Sequence, residues 1–184
     1  ARKNELMVNQ FQDEKSQRIY CVIDKGRMMR MPFDELSLLD YSINASLVIS
    51  NIAIKKHDKA GLLSFSNKMS SILPAEKKPG QMRMIQHMLY NQKTRYQESN
   101  FELLNAFVQR RITQRSLLLL FTNFESFDSF KRQLPYFKNM ARRHLVVIIF
   151  FQNTGLKEII NSNPSTVQGI YDQAIAEKFE FDKI

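Results

Sequence analysis

The sequence predicts an α/β domain built on a mostly parallel sheet, and two observations carry that prediction. Apolar runs of strand length alternate along the chain with segments whose apolar residues recur at i, i+3 and i+4, as expected of successive βαβ units. Arg18 to Asp24, Ser116 to Thr122 and His144 to Phe151 are also apolar at nearly every position. A strand apolar on both faces belongs inside a parallel sheet with helices on either side.

Residues 1–17 read as an extended lead-in and residues 18–184 as the domain. Arg18 to Asp24 is the first strand, and the Asp24-Lys25-Gly26-Arg27-Met28 loop leads from it to a helix expected from Phe33 to Lys56. Leu36, Leu39, Ile43, Leu47, Ser50 and Ile54 set the spacing of that helix, and Ala45 to Ile54 is apolar nearly all round, which predicts burial on most of its circumference. Lys59 to Phe65 and Met69 to Leu73, joined by Ser66-Asn67-Lys68 and ended by Pro74, read as an edge hairpin. A helix is expected from Gln81 to Gln92. Ser99-Asn100-Phe101-Glu102 has the form of a capping box for the next one, which runs to Arg111 with Phe101, Leu104, Val108 and Ile112 on its apolar face. After the Leu117 to Phe121 strand, Phe127, Phe130, Leu134 and Phe137 mark a further helix, which Pro135 is expected to kink or to break into two short ones. Leu145 to Ile149 is the next buried strand, followed by a Gln152-Asn153-Thr154-Gly155 loop and a helix from Val167 to Phe179.

Composition narrows the function classes. A length of 184 residues suits one domain, and 43% hydrophobic with 24% charged residues excludes general disorder. The lone cysteine, Cys21, excludes an internal disulfide and a cysteine-rich zinc site, and fits reducing surroundings. The longest apolar run, His144 to Phe151, falls short of the roughly 18 residues of a membrane helix, so the chain as given reads as soluble. It begins without Met or an apolar leader, as a piece of something longer would. A net charge of +9, from 27 Lys and Arg against 18 Asp and Glu, invites an anionic partner. Yet the basic pairs Lys55-Lys56, Lys77-Lys78, Arg110-Arg111 and Arg142-Arg143 are scattered, and three of them fall where helices are expected to end. Cations there complement the helix dipole, so these pairs read as capping charges on a solvated surface.

Catalytic motifs are absent. The glycines, Gly26, Gly61, Gly80, Gly155 and Gly169, are never close enough for a phosphate loop, and no G-x-S-x-G occurs. His57, His87 and His144 lack ligand spacing and read as surface or strand-end residues. One place does stand out, because ligands of open parallel sheets bind outside the carboxyl ends of the strands. Asp24 ends the first strand there, Thr122-Asn123 ends another, and Ser99-Asn100 starts a helix that faces the same edge. Asp24, Ser99, Thr122 and Asn123 are therefore expected to form one polar cluster. The structural alternative is that Asp24 satisfies loop N–H groups, Ser99 only caps its helix, and Thr122-Asn123 only makes a turn.

An apolar strand ending in Asp-x-Gly/Ser-x-x-Met, Leu39-Asp40-Tyr41 opening a long apolar helix, Asp58-Lys59-Ala60-Gly61-Leu62-Leu63-Ser64-Phe65, and Arg115-Ser116-Leu117 leading to Phe121-Thr122-Asn123 together resemble a von Willebrand factor A domain. More narrowly, the chain resembles the bacterial family called domain of unknown function 58. Ala1-Arg2 with Leu6-Met7-Val8 and Asp13-Glu14 is similar to the stretch after that family's Trp-Lys signature, and Arg142-Arg143-His144-Leu145 to the approach to its next strand. The resemblance implies a Rossmann-like three-layer sandwich with the hairpin strand antiparallel at one edge. It also implies two membrane helices ahead of the domain in full-length relatives, a place on the cytoplasmic face of the inner membrane, and association with MoxR-type AAA+ ATPases. The implied role is partner binding or chaperone-like assembly, with no enzyme activity and no cofactor. The family continues past a helix like Val167 to Phe179 into another strand and helix, so a chain stopping at Ile184 is expected to lack the last strand.

In the wider fold a metal-ion-dependent adhesion site holds Mg²⁺ through Asp-x-Ser-x-Ser, a Thr from a second loop and an Asp from a third. Here Asp24 remains, Gly26 and Met28 occupy the serine positions, and Asn123 occupies that of the final Asp. Mg²⁺ wants hard oxygen ligands, which neither glycine nor a thioether supplies, and Lys25 and Arg27 add positive charge. A degenerate site at Asp24, Gly26, Met28, Ser99 and Asn123, without metal, is therefore expected. The expected function is a non-catalytic interaction module presenting Asp24, Lys25, Arg27, Ser99 and Asn123 to a protein partner, whose acidic segment would suit the cations. One alternative is a nucleic-acid binder that uses the +9 charge, with Tyr96 and Phe101 near Arg95 as stacking partners. Another is a metal-dependent hydrolase built on Asp24, for which the motifs offer no second carboxylate. Membrane contact is expected only through segments outside this chain.

Overall fold

Residues 18 to 24 form the strand on which the rest is assembled, and from Tyr20 onward every one of them is buried. Their alternation sends Tyr20 and Val22 into one hydrophobic core and Cys21 and Ile23 into the other, which is why the segment is apolar at successive positions. The computed structural model describes residues 16–33, 35–94 and 96–151. In chain order these form β1 (Arg18–Asp24), a 3-10 turn (Arg27–Arg30), a small hairpin of β2 (Pro32–Phe33) and β3 (Leu36–Ser37), α1 (Leu38–Lys55), β4 (Lys59–Phe65), β5 (Met69–Glu76), α2 (Gln81–Tyr90), α3 (Phe101–Arg111), β6 (Leu117–Phe121), α4 (Phe127–Ala141) and β7 (Leu145–Ile149).

The main sheet has the order β5-β4-β1-β6-β7, with β5 antiparallel at one edge and the other strands parallel. It is the mixed sheet flanked by helices that the sequence predicts. On one face α3 and α4 bury Phe101, Leu104, Val108, Phe137 and Met140 against β1, β4 and β6. On the other, α1 and α2 bury Leu38, Leu39, Ile85 and Leu89. No helix among the described residues is long and apolar enough to cross a membrane. The lead-in up to residue 15, the Gln152 to Gly155 loop and the Val167 to Phe179 helix lie outside the described residues.

Several expectations are corrected. α1 starts at Leu38, not Phe33, because Ser37 and Asp40 cap it reciprocally: the Ser37 hydroxyl accepts from the Asp40 N–H at 3.3 Å and the Asp40 carboxylate from the Ser37 N–H at 3.0 Å. Nor is the helix buried nearly all round. Ser42, Ser46, Ser50 and Ala53 form its sheet-facing side, small enough for close approach to β1, while Val48 and Ile52 remain 58% and 48% exposed. β5 runs on through Pro74 to Glu76. A missing N–H is tolerated on an edge strand, and the register shift opposite Ala60 and Leu62 absorbs the extra residue. Gln81 closes that bulge by donating to the carbonyls of Ala60 at 2.7 Å and Pro74 at 2.9 Å.

α4 is continuous across Pro135. Both Pro135 and Lys131, whose carbonyl loses its helical donor, are exposed, so water can satisfy that oxygen. β7 is not buried on both faces: among the described residues it is the outer strand, and Leu145 is 58% exposed. His144, just before it, is buried rather than superficial, with neither ring nitrogen hydrogen-bonded; desolvation, then the Arg143 charge, lowers its pKa. Three basic pairs do end helices: Lys55 closes α1 with Lys56 as its cap, Arg110-Arg111 close α3, and Arg142 caps α4.

Candidate functional site

Parallel pairing of Ile23 with Phe121 brings the next residues, Asp24 and Thr122, together at the carboxyl ends of β1 and β6. Both are buried, and the Thr122 hydroxyl donates to Asp24 Oδ2 at 2.7 Å. The other carboxylate oxygen, Oδ1, accepts from the Gly26 N–H at 2.7 Å and from the Ser99 hydroxyl. Burial pushes the Asp24 carboxyl pKa up, and the hydrogen bonds from Ser99, Gly26 and Thr122, in that order, pull it back. The segment that carries Ser99 is pinned beside the strand ends by the Arg27 N–H to the Gln97 carbonyl at 3.1 Å and the Asn100 N–H to the Ser66 carbonyl at 2.9 Å.

Ser99 is therefore not the helix cap. Asn100 takes that place, its side-chain oxygen accepting from the Leu103 N–H at 2.8 Å, and the Ser99 hydroxyl is turned to Asp24 instead. Gly26 makes room for this contact, since a Cβ there would overlap the Ser99 hydroxyl oxygen and come within 3.2 Å of both Asp24 Oδ1 and the Ser99 nitrogen. Asn123 makes a local turn, accepting from the Phe124 N–H at 3.0 Å, and also lines the same pocket. The expected cluster of Asp24, Ser99, Thr122 and Asn123 is assembled by the fold.

Its surface differs from expectation. Lys25 is only 6% exposed and acts from beneath the rim, while Asp24, 2% exposed, lines the pocket beside Asn123 with both carboxylate oxygens already hydrogen-bonded. Arg27, Met28, Ser99 and Asn123 do line a pocket of about 100 Å³. Arg27 is already clamped between Glu125, at 2.8 Å, and Glu98, at 3.4 Å, and so is not a bare cation awaiting an acidic segment. Arg132, Ser129 and Gln133 from α4 complete the mouth. Phe101 and Phe124 form the floor, their rings stacked 5.4 Å apart, with Phe130 and Phe150 edge-on to Phe124. The sequence reading missed Glu98, Glu125 and Arg132. Glu98 is next to Ser99 and Glu125 is two residues from Asn123, but pairing across loops has no local signature.

As a donor set for a divalent cation the cluster is poor. It contains one carboxylate, whose oxygens already accept three hydrogen bonds, and neither Gly26, which has no side chain, nor the Met28 thioether offers a side-chain oxygen. No group of three or more His, Cys, Asp or Glu residues with metal-binding geometry occurs among the described residues. A larger cleft of about 410 Å³ lies between β5 and α3, where Tyr20, Leu63, Ile72 and Phe107 make it apolar, and no acid, thiol or imidazole lines it. The proposed stacking pair fails as well: Phe101 is buried, the exposed Tyr96 ring is covered by the Arg30 guanidinium at 4.4 Å, and Arg95 lies outside the described residues.

Compared with known proteins, the sequence matches over residues 1–162 the family described as Protein of unknown function DUF58. Among solved structures, the chain is similar to the SpRpn10 VWA domain, with a TM-score of 0.50 and 14% identity, covering 82% of this chain and 84% of that one. It is also similar to proximal thread matrix protein 1 from the mussel byssus, with a TM-score of 0.46 and 12% identity over 88% of this chain and 47% of that one. The first likeness is one of fold, a von Willebrand factor A-type α/β sandwich. No curated protein matches the sequence.

Two substitutions separate the roles of the cluster. Ser99→Ala removes a donor from a buried carboxylate and should destabilise the protein by about 1–3 kcal/mol in urea unfolding at pH 7.5. Asp24→Asn should be at least as stable as the parent at that pH, because the carboxyl pKa is raised in the fold and ionising it there costs stability. The folded state holds the Asp24 proton more tightly than the unfolded chain, so this group's contribution grows as pH falls. The comparison should therefore shift toward the parent between pH 7.5 and pH 4.5; a shift in the opposite direction would contradict the assignment.

Proposed function

The chain belongs to the DUF58 family of proteins of unknown function, and on that premise we propose that it is a non-catalytic protein-interaction module whose strand-end rim receives a side chain of a partner protein. The von Willebrand factor A-type fold often mediates protein–protein interaction. The observation that carries the reading is the internal use of Asp24: both oxygens are held by Ser99, Gly26 and Thr122, so the one carboxylate of the cluster is neither a free base nor an open ligand. What reaches the surface is a pocket of about 100 Å³. Small-molecule and cofactor sites run to roughly 300–1,000 Å³, whereas a space this size suits a single side chain.

Within this reading the cluster is a degenerate adhesion site, in which the Ser99 hydroxyl takes the space beside Gly26 and hydrogen bonds replace ion coordination. The partner we propose, from the family resemblance, is a MoxR-type AAA+ ATPase met at the cytoplasmic face of the membrane. Arg27 and Arg132 share the rim with Glu98 and Glu125. A rim of mixed sign selects a partner with both charges and acts mainly on specificity and association rate.

Arg27→Glu combined with Asn123→Ala should reduce recovery of a co-expressed MoxR-type ATPase in a pull-down about tenfold or more, corresponding to roughly 1.4 kcal/mol of binding; undiminished recovery would move the interface off this rim. Separately, calorimetric titration with Mg²⁺ or Mn²⁺ should give no micromolar isotherm. A micromolar affinity would overturn the degenerate-site reading.

A further inference from the structure

The topology gathers charge that looks dispersed in the sequence. β1, β4, β6 and β7 are parallel, and their first residues are in register: Arg18 with Lys59, Ile19 with Leu117, and Leu117 with Leu145. α1, α3 and α4 each run back to that same edge before the next strand begins. The antiparallel β5 ends there too, with Glu76 opposite Ala60. All four basic pairs therefore meet at the amino-terminal edge of the sheet, and every residue in them is exposed. Of the two nearby acids, Glu76 pairs with Lys78, and Asp58 accepts from the Gln17 N–H. The other seven cations of the pairs have no ion pair among the described residues. At the opposite edge, by contrast, Arg27 is matched by Glu98 and Glu125.

From this polarity we propose that the amino-terminal edge is a docking surface for an anionic lipid bilayer. Clustered cations near a bilayer are attracted by its negative surface potential, and aliphatic side chains among them enter the headgroup region. Leu145 opens β7 beside Arg142-Arg143 and is 58% exposed, and Ile52, in the last turn of α1 beside Lys55-Lys56, is 48% exposed. A nucleic acid is the less fitting anion. Single strands call for aromatic rings on which bases stack, and among the described residues the exposed rings, Tyr90, Tyr96, Phe127 and Phe150, all lie at the other edge. The cations also sit at the tips of separate elements, and Arg111, which lines the cleft between β5 and α3, does so among apolar side chains. With β1 seven residues long, the strand-end rim would stand about 20 Å above the lipid and face away from it. The proposal is independent of what that rim binds.

Co-sedimentation with vesicles tests it, using phosphatidylcholine alone and phosphatidylcholine with about one third phosphatidylglycerol. The protein should pellet with the anionic vesicles only, and release as salt is raised from about 50 to 300 mM. Lys77→Glu with Arg143→Glu, both outside helices and strands, should lower the bound fraction about tenfold or more. Lys68→Glu with Lys93→Glu makes the same change in net charge at the opposite edge and should leave binding within about twofold, with circular dichroism confirming that both variants fold. Equal binding to neutral vesicles, or equal loss in the two double variants, would overturn the proposal. Duplex DNA that stays bound at salt concentrations releasing the vesicles would transfer the surface to nucleic acid.

Discussion

One buried carboxylate organises the end of the molecule where chain segments meet. Asp24 draws a hydroxyl from a loop 75 residues away and another from a strand end 98 residues away, and folds its own loop back through the Gly26 N–H. Taking a carboxylate out of water is expensive, and these three donors offset that cost. The reward is positional: the three loops that frame the rim are fixed to one another, so Arg27 lies where Glu98 and Glu125 can both reach it. If the carboxylate were not enclosed, the 97–100 segment would be left with two backbone hydrogen bonds and the exposed Arg27–Glu98 ion pair to hold it against the strand ends.

Much of the framework is legible in the sequence, for identifiable reasons. β1, β4, β6 and β7 fall on apolar runs bounded by polar residues, and two-sided burial at β1 and β4 leaves little freedom in register. The meeting of Asp24, Ser99 and Thr122 follows from a topological rule that needs only strand direction. What the pattern misses is decided by competition between equally suited residues. Ser99 and Asn100 can each cap α3, and the outcome turns on Asp24, a partner remote in sequence. Periodicity places the start of α1 too early because Leu36 fits the helical spacing, while the Ser37–Asp40 exchange sets the boundary.

Burial is harder to read than element type. Of the α1 serines the spacing puts Ser50 alone on the buried stripe, yet Ser42 and Ser46 are buried with it, and Val48 is exposed. Lys25 has the composition of a surface residue and lies beneath one. Pro74 and Pro135 suggest interruptions, but Pro74 sits on an edge strand, and the Lys131 carbonyl that Pro135 leaves without a donor is open to water. In every case the deciding quantity is which neighbour comes close, and residue type alone does not fix that.

The interlock between Gly26 and Ser99 has an evolutionary consequence. A side chain at position 26 and a hydroxyl at position 99 compete for the same few cubic ångströms, so the fitness of either residue depends on the other. Any larger residue at position 26 would first require the Ser99 hydroxyl to turn away from Asp24, which would leave a buried carboxylate short of a donor. Epistasis of this kind ties the two positions together, so that they are expected to change as a pair.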